Sequence, residues 1–423
     1  MLVICHYGEI ALKGDNRKFF EEKLVENIKK SLQQNRVLFN YVKRISGRIL
    51  VELKQEEEGE KLLPQSKEFN SLQEKVKNAL QKVFGITYFV FAQEVYPSTS
   101  SGQDPSTSSG QDIECLKDKA IEILKKETFS SFKVETKRGN KNFALTSQQI
   151  NEQLGEEILN KISSMRNSAD RLNCVKVDLH NPDIILYIEI AEKYAFLYTK
   201  KFAGPGGLPL GVSGKAVSLI SGGIDSPVAS YLMMKRGVEN IFVHFYSNQQ
   251  GYEQSLEKVR DILRVLKKYQ EKIKVYFVPL LDIQKEIVLK TKADFRVVLY
   301  RRVMFLIANE IAEQEKAKAL ITGESVGQVA SQTLDNMLAI EDAVSLPVLR
   351  PLSGWDKQEI MDLAKKIGTY EISILPHLDC CSMFVPEHPA TKANLKDVKK
   401  EEKKLKLKKL IKNALKQSKI EII

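Results

Sequence analysis

The stretch "AVSLISGGIDSPVASYLMM" occupies residues 216–234 and decides how the second half of the chain is read. An apolar run ends in Ser-Gly-Gly, an acid follows two residues later, and an apolar segment of helical length comes next. This is the signature of strand, turn and helix. Gly222 and Gly223 let backbone N–H groups come close to an anion. The helix that follows adds its positive N-terminal end. Pro227 suits a first helical turn, where its missing N–H costs little. The loop is not of the G-x-x-x-x-G-K-[ST] type. Asp225 is a poor direct partner for phosphate and makes sense if Mg2+ bridges it to a pyrophosphate.

Around this turn the pattern repeats as strand–turn–helix: "NIFVHFYS", "SLEKVRDILRVLKKY", "IKVYFVPL", a long helix through 295–313, and "ALITGE". Strands alternating with helices predict a doubly wound parallel sheet from Lys215 onward. "AGPGGLPLG" at 203–211 marks a boundary. Upstream, residues 1–60 read strand, helix, strand, strand, with helical apolar spacing at Phe19, Phe20, Leu24, Ile28 and Leu32. A helix and a strand follow over 72–96. Then "PSTSSGQD" stands twice in tandem, at 97–104 and 105–112. It has no large apolar side chain, so a flexible linker or loop is expected. Beyond it come helix, strand ("SFKVETKR"), helix and two strands ("CVKVDLH" and "DIILYIEIAEKYAFLYTK"). The fold class is therefore α/β and α+β multidomain.

Composition narrows the function. The chain has 423 residues, 43% apolar and 28% charged, with a net charge of +11. Two to four domains are expected at this length, and the basic excess suits a polyanion partner. Part of that excess is local, because 12 lysines fall within 391–423. Five scattered cysteines, Cys5, Cys115, Cys174, Cys380 and Cys381, argue against a disulfide scaffold, and the lack of a C-x-x-C pair argues against structural zinc. No apolar stretch approaches the roughly 20 residues of a membrane span, and the first residues are too short for a signal peptide. A cytoplasmic protein is expected.

The turn "SGGIDS" at 221–226 resembles the PP-loop of ATP pyrophosphatases, which adenylate an oxygen and release pyrophosphate. Further blocks narrow the resemblance: "YGEIALKGDNRKFFEEKL" (7–24), "FKVETKRGNKNFALTS" (132–147), "GPGGLPLG" (204–211), "TGESVGQVASQTLDNM" (322–337) and "VLRPLSGWDKQEIMDLAKKIGTYEIS" (348–373). Together they resemble the tRNA 4-thiouridine synthetase family, ThiI, from Tyr7 to about residue 395. The resemblance implies an N-terminal ferredoxin-like domain over 1–61 and a THUMP RNA-binding domain over 62–202, with the flexible repeat inside it. It implies a PP-loop domain over 203–396, followed by a lysine-rich C-terminal helix over 397–423.

The resemblance also assigns roles. ATP contacts fall on Leu219, Ile220, Ser221, Gly222, Gly223, Asp225, Ser226, His244, Phe245, Arg301, Gly323 and Gln332, with Asp225 reaching Mg2+ through the pyrophosphate. Arg302 competes with Arg301, since only helix phase separates them. Plain core packing is the alternative for His244 and Phe245. Cys380 and Cys381 match the place of the family's sulfur-handling cysteine, and either can be the acting one. A thiol in a basic cleft would have its pKa lowered, whereas a buried one would be inert. RNA-binding candidates are Lys133, Lys137, Arg138, Lys141 and Asn142, interleaved with Phe132 and Phe143, and Lys13, Arg17, Lys43 and Arg44 extend that surface. The alternative there is a solvated strand edge.

The implied activity is adenylation of O4 of the uridine at position 8 of tRNA, followed by its replacement with sulfur. The implied partners are tRNA, a cysteine desulfurase, a sulfur carrier protein linked to thiamine thiazole synthesis, and a second copy in a homodimer. A C-terminal rhodanese domain, which many relatives carry, is not expected here. Two rival readings remain at this point: a PP-loop synthetase acting on a small molecule, and a non-catalytic tRNA-binding module.

Overall fold

A computed structural model describes the chain except for residues 55–66, 96–107, 140–142, 144, 167–174, 192–193, 248–251, 377–383 and 385. Two compact units divide between Gly206 and Gly207.

The first unit contains β1 (Leu2–His6), α1 (Arg17–Gln34), β2 (Phe39–Ile45), β3 (Arg48–Leu53), α2 (Lys67–Leu80), β4 (Tyr88–Val95), α3 (Ser108–Leu124), β5 (Ser131–Arg138), α4 (Ser147–Arg166), β6 (Lys176–Val177), β7 (Ile184–Ala191), β8 (Tyr194–Tyr198) and β9 (Phe202–Ala203). They build one nine-stranded sheet in the order β2-β3-β1-β4-β8-β7-β5-β6, with β9 also on β4. Leu24, Ile28 and Leu32 of α1 and Val76, Ala79 and Leu80 of α2 are buried in one core with Val3, Ile49, Val51 and Phe89. Since α2 and β4 belong to this core, the expected division after residue 61 does not coincide with a break in packing. A second core gathers Leu116, Ala120 and Leu124 of α3, Ile150, Leu154 and Ile158 of α4, and Phe132, Leu186, Ile188 and Leu197 of the sheet. The segment 183–200, read as one strand, contains β7 and β8 paired antiparallel. The second copy of the tandem octapeptide is also not all linker: α3 begins at Ser108, inside it. The rest of the repeat lies outside the described residues.

A buried charge cluster joins the two halves of this sheet. Glu189 of β7 is 2% exposed. It accepts from Tyr198 Oη at 2.6 Å and lies 2.8 Å from Arg48 Nη1 of β3 and 3.3 Å from His6 Nε2 of β1. His6 stacks on Tyr88 with ring centroids 4.3 Å apart. Burial pushes the His6 imidazole down to about 4, with Arg48, Lys137 and Lys201 adding to the shift against Glu189.

The second unit contains β10 (Lys215–Leu219), α5 (Asp225–Lys235), β11 (Glu239–Tyr246), α6 (Tyr252–Leu266), β12 (Lys274–Pro279), α7 (Leu281–Lys290), α8 (Arg296–Glu315), β13 (Leu320–Ile321), α9 (Leu334–Glu341), β14 (Val348–Leu349), α10 (Lys357–Ile367), α11 (Tyr370–Ser373), α12 (Leu395–Glu402), α13 (Leu407–Lys416) and β15 (Lys419–Ile422). The sheet order is β14-β13-β10-β11-β12-β15. Every pair is parallel except β12–β15. The chain leaves β10 for β11 on one side and returns to β13 on the other. Such a switch point opens a crevice at the carboxyl ends of the two strands, where open α/β sheets bind ligands.

The tail differs from the expected single helix. It forms two helices and an edge strand, and all three are tied to the second unit. Glu402 pairs with Arg302 at 2.5 Å, Glu421 pairs with Arg260 at 2.8 Å, and Leu407, Leu410, Ile411 and Leu415 pack on the core. The lysines are the solvent side of packed helices. Among the described residues, no helix is long and apolar enough to cross a membrane.

The His6 site predicts a pH dependence. An unfolded histidine titrates near 6.5, above the folded value of about 4. As pH falls from 6.5 to 4, the unfolded state takes up a proton that the folded state refuses, so stability falls through that window. The loss approaches about 3 kcal/mol at its lower end. Urea unfolding of the parent and of His6→Gln at pH 7, 5.5 and 4.5 should show the parent losing more stability than the variant. Parallel losses would mean that His6 is not the titrating group.

Candidate nucleotide site

The glycine turn sits at the switch point. β10 ends at Leu219, and Ile220 to Ile224 form the turn that enters α5. Leu219 and Ile220 are buried, and His244 Nδ1 lies 2.9 Å from the Ile220 carbonyl. Ser226 Oγ accepts from Ser221 N at 2.9 Å and lies 3.1 Å from Ser221 Oγ, while Gly223 N donates to Ser221 Oγ at 3.2 Å. The two serines therefore tie the ends of the turn together. Pro227 falls in the first turn of α5, so the N–H it lacks is one that the helix would leave unpaired.

The loop after β13 lies against this turn. A Cβ on Gly323 would stand 2.6 Å from Ser226 N and 2.8 Å from Asp225 C, closer than any side chain permits. Gln328 Nε2 donates to Asp225 Oδ2 at 3.1 Å. Gln332 shapes the loop from inside: its carbonyl accepts from Gly327 N at 2.9 Å, and its Oε1 faces Ser325 N at 3.4 Å.

Glu324 carries the buried charge of the site at 1% exposure. Arg301 Nη2 lies 2.5 Å from its Oε1, Arg350 Nε lies 2.8 Å from its Oε2, and Thr322 Oγ1 donates to it at 3.0 Å. Burial alone would push this carboxyl up, but the two guanidiniums outweigh it and hold it below the usual carboxylate range. The two neighbouring arginines are placed differently. Arg301 faces Glu324, whereas Arg302 is buried against Glu402, Asp342 and the Ala339 carbonyl. Arg302 holds α8 to α9 and α12.

Lys357 was not singled out from the sequence. It opens α10 as the first residue inside an Asp356–Glu359 capping box, and its Nζ lies 2.5 Å from Asp225 Oδ1. A cation at a helix N-terminus opposes the helix dipole, and here the Asp225 carboxylate offsets that cost. The geometry also bears on Mg2+. Asp225 is the carboxylate at the turn, Glu324 being held by Arg301 and Arg350, and among the described residues no group of three His, Cys, Asp or Glu side chains converges. That fits a magnesium ion taking one protein carboxylate and completing its shell from phosphates and water. Lys357 would have to give way at Oδ1.

The remaining residues read from the sequence are placed as follows. Phe245 packs in the core with Val243 and Val278. His244 is 7% exposed and meets Phe277 edge-on at 5.9 Å. In the first unit, β5 turns Phe132, Val134 and Thr136 inward and Lys133, Glu135 and Lys137 outward. Phe132 is fully buried, so it is no partner for RNA bases. Lys133 lies 3.6 Å from Glu135. Arg138 donates to the carbonyls of Phe143 and Leu145 at 2.9 and 2.8 Å and holds the following loop. Phe143 is partly buried against the α3–α4 core. Lys201, absent from the sequence reading, stands 3.5 Å over the Tyr187 ring. Arg17 and Arg44 are drawn to Glu21 at 2.8 and 3.2 Å, and Lys13 lies 3.5 Å from Glu9. Lys43 stands 4.4 Å over the Tyr41 ring. Lys141, Asn142, Cys380 and Cys381 lie outside the described residues.

A parallel α/β unit with a serine-tied glycine turn at its switch point, preceded by a mixed sheet, defines the class as a PP-loop protein with an N-terminal extension. Comparison with known proteins gives the family. Residues 211–407 match the model described as thiamine biosynthesis protein (ThiI), residues 2–90 the ThiI ferredoxin-like domain and residues 110–200 the THUMP domain. The chain is 43% identical over 414 residues to the probable tRNA sulfurtransferase of Caldanaerobacter subterraneus subsp. tengcongensis, covering 97% of each. It is 41% identical to that of Moorella thermoacetica, covering 98% of this chain and 95% of the relative. Among solved structures, it is similar to a 4-thiouridine synthetase in complex with RNA and bound ATP, with a TM-score of 0.81, 37% identity, and 100% and 99% of the two chains covered. It is also similar to a protein from Pyrococcus horikoshii Ot3, with a TM-score of 0.62, 26% identity, and 87% and 99% covered. The chain belongs to the ThiI family of tRNA sulfurtransferases.

Two variants test the site's construction. Gly323→Ala should force the two loops apart and cost about 1–3 kcal/mol as an overpacking change, with weaker ATP binding by calorimetry. Arg302→Ala should cost about 2–5 kcal/mol, because it removes a large buried side chain and leaves the Ala339 carbonyl without its donor. Arg301→Ala should cost less, since Arg350 still neutralises Glu324, and should lower ATP affinity instead. Equal melting temperatures for the two arginine variants would contradict this division.

Proposed function

We propose that this chain is an ATP-dependent tRNA sulfurtransferase that adenylates the uridine at position 8 of tRNA and replaces its O4 with sulfur, giving 4-thiouridine. The observation that carries the reading is the serine-tied glycine turn at the β10–β13 switch point, with Asp225 and Lys357 paired beside it. The ATP and RNA in the similar 4-thiouridine synthetase structure support the same substrates here.

In this reading the turn and the first turn of α5 bind the nucleotide's phosphates through backbone N–H groups. Leu219, Ile220, His244, Phe245, Gly323 and Gln332 border the nucleotide, and Arg301 turns toward a phosphate. Lys357 neutralises charge that develops as pyrophosphate leaves. Asp225 would hold a magnesium ion, which when bound would supply further neutralisation of charge on pyrophosphate. Uridine O4 attacks the α-phosphorus, the bond to pyrophosphate breaks, and a poor leaving group becomes AMP.

Sulfur then arrives as a persulfide on Cys380 or Cys381, donated by a cysteine desulfurase. The terminal sulfur bonds to C4 and AMP departs. The neighbouring thiol attacks the remaining sulfur–sulfur bond, frees 4-thiouridine and leaves a Cys380–Cys381 disulfide. A strained ring between adjacent cysteines is readily reduced by a thiol reductant, which resets the site. Lys133 and Lys137, with Lys201 beside them, offer phosphate contacts to tRNA, and Lys141 and Asn142 extend that sequence. Arg138 serves the loop more than the RNA. A cytoplasmic homodimer completes the reading. Supply of sulfur through a carrier protein for thiamine thiazole synthesis is a secondary role, supported by the match of residues 211–407 to the thiamine biosynthesis protein family.

The test separates the two half-reactions. Asp225→Ala should abolish pyrophosphate release and 4-thiouridine formation while leaving tRNA affinity within about twofold. Replacing both Cys380 and Cys381 by Ser should stop thiolation but keep tRNA-dependent pyrophosphate release. Mass spectrometry of tRNA nucleosides and a pyrophosphate assay read both. Pyrophosphate release that needs a small molecule instead of tRNA would favour the rival synthetase. Absence of release from the parent chain would favour a binding module.

A further inference from the structure

The helices α12 and α13, near the end of the chain, carry a charge pattern that sets them apart from the helices before them. Residues 391–423 hold 12 lysines and four acids, and all of these lysines are exposed. Three of the acids are spent inward. Glu402 pairs with Arg302, Glu421 pairs with Arg260, and Glu401 accepts from Lys292 N at 2.9 Å. The apolar side of α13, with Leu407, Leu410, Ile411 and Leu415, is packed on the core.

On the outer side of α13, Lys408, Lys412 and Lys416 stand at four-residue steps, about 6 Å apart along the axis, with Lys409 beside them. No acid lies three or four residues from any of these four. Other helices balance their lysines: Lys23 pairs with Glu26 on α1, Lys77 with Glu74 on α2, Lys117 with Glu114 on α3 and Lys290 with Glu286 on α7. Like charges four residues apart oppose a helix. Lys408 and Lys409 also lie in the first turn, where a cation opposes the helix dipole and no acid offsets it. The helix bears both costs without an intramolecular return.

We propose that this face of α13 is a docking surface for the phosphate backbone of tRNA. The inference rests on the reading of tRNA as the substrate. The side chains on the face select among anionic partners. Lys408, Lys409, Lys412, Asn413, Lys416 and Gln417 are exposed, and α13 exposes no large apolar residue. A protein partner takes an apolar or aromatic anchor, and lysine is depleted at such interfaces. A lipid surface takes an apolar helix face, and that of α13 is already covered by the core. Phosphate contacts take cations and polar donors that position the RNA without reading its bases. The cations of the crevice are engaged, Arg301 and Arg350 with Glu324 and Lys357 with Asp225. Holding the RNA backbone is thus left to the outer lysines of the unit.

The test measures binding of an unmodified tRNA transcript to the full chain by fluorescence anisotropy across a series of salt concentrations. Replacing Lys408, Lys409, Lys412 and Lys416 together by Gln should weaken binding about tenfold or more at low salt. It should lower the salt slope by about two to three, since each phosphate contact contributes roughly 0.7–0.9. ATP affinity and melting temperature should match the parent. The same four positions replaced by Arg should keep the parent's slope. Lys23, Lys30, Lys290 and Lys365, each facing an acid on its own helix, are replaced by Gln as the control for net charge, and the slope should change by less than about one. Where the fourfold variant melts early, Lys412→Gln with Lys416→Gln carries the comparison, with a fall of about one to two. A parent-like slope in the α13 variant, or an equal fall in the control, would overturn the proposal. Unchanged tRNA binding with slower sulfur uptake from a desulfurase would also overturn it and mark the face as a protein dock. A parent chain that binds no tRNA would remove the substrate reading itself, and this proposal with it.

Discussion

The close approach of Gly323 to Ser226 N is the contact on which the second unit's site depends. Parallel strands either side of a switch point diverge at their ends, and the crevice between them is useful only if its two loops are brought together. Here the approach leaves no room for a Cβ. Once the loops meet, neighbouring residues are placed by chain connectivity. Glu324 enters the interior one residue after the glycine and must be neutralised there, so Arg301 and Arg350 converge on it. Four residues later, Gln328 reaches Asp225. Cationic groups thus surround the turn as a consequence of a buried acid, and an anionic ligand would meet a field already assembled.

The first unit uses buried charge differently. Glu189, Arg48, His6 and Tyr198 come from four strands, and their pairing fixes how one half of the nine-stranded sheet meets the other. A buried ion pair seldom adds net stability, because desolvation offsets the attraction. An apolar surface tolerates sliding, however, while a buried carboxylate that accepts from Tyr198 and lies against Arg48 and His6 does not. Leu2, Ile4, Leu50, Val90, Phe196 and Tyr198 supply the apolar burial of the same junction, and the cluster supplies its register. Lys137, an RNA candidate, is one of the cations that depress His6, so the outer basic face and the inner cluster share one electrostatic field.

What could be read from the sequence follows the range of each signal. The α/β character of 215–349 was legible because strands buried on both faces are short apolar runs separated by helices. The glycine turn was legible because its chemistry is local. The choice between Arg301 and Arg302 was not: α8 buries residues around most of its circumference, from Val298 to Ala312, so it has no polar face from which to read phase. The pairing of "KIEI" at 419–422 with β12 was equally hidden, since four residues beside a lysine-rich helix carry no information about a partner strand some 145 residues away. Lys357 and Lys258 act on groups more than 100 residues distant. Phe132, by contrast, was legible and was misjudged: the two-residue alternation of "SFKVETKR" already turns it to the side opposite Lys133 and Lys137.

The second unit joins its chemistry through shared walls rather than through separate sites. The loop from Thr322 to Thr333 touches the glycine turn with Gly323 and the turn's acid with Gln328, and Thr333, with Asn336 of the following α9, touches the stretch at 390–393. The glycine turn touches the end of α11 through Gly223 and Ser373. A change that moves either loop to admit a nucleotide must therefore strain or shift the contacts that flank the stretch containing Cys380 and Cys381. Packed interfaces respond to such shifts as units, because protein interiors deform little. Nucleotide binding and the position of the two flanks of that stretch are accordingly expected to be coupled in one body of the fold, with the coupling carried by hydrogen bonds to main-chain carbonyls.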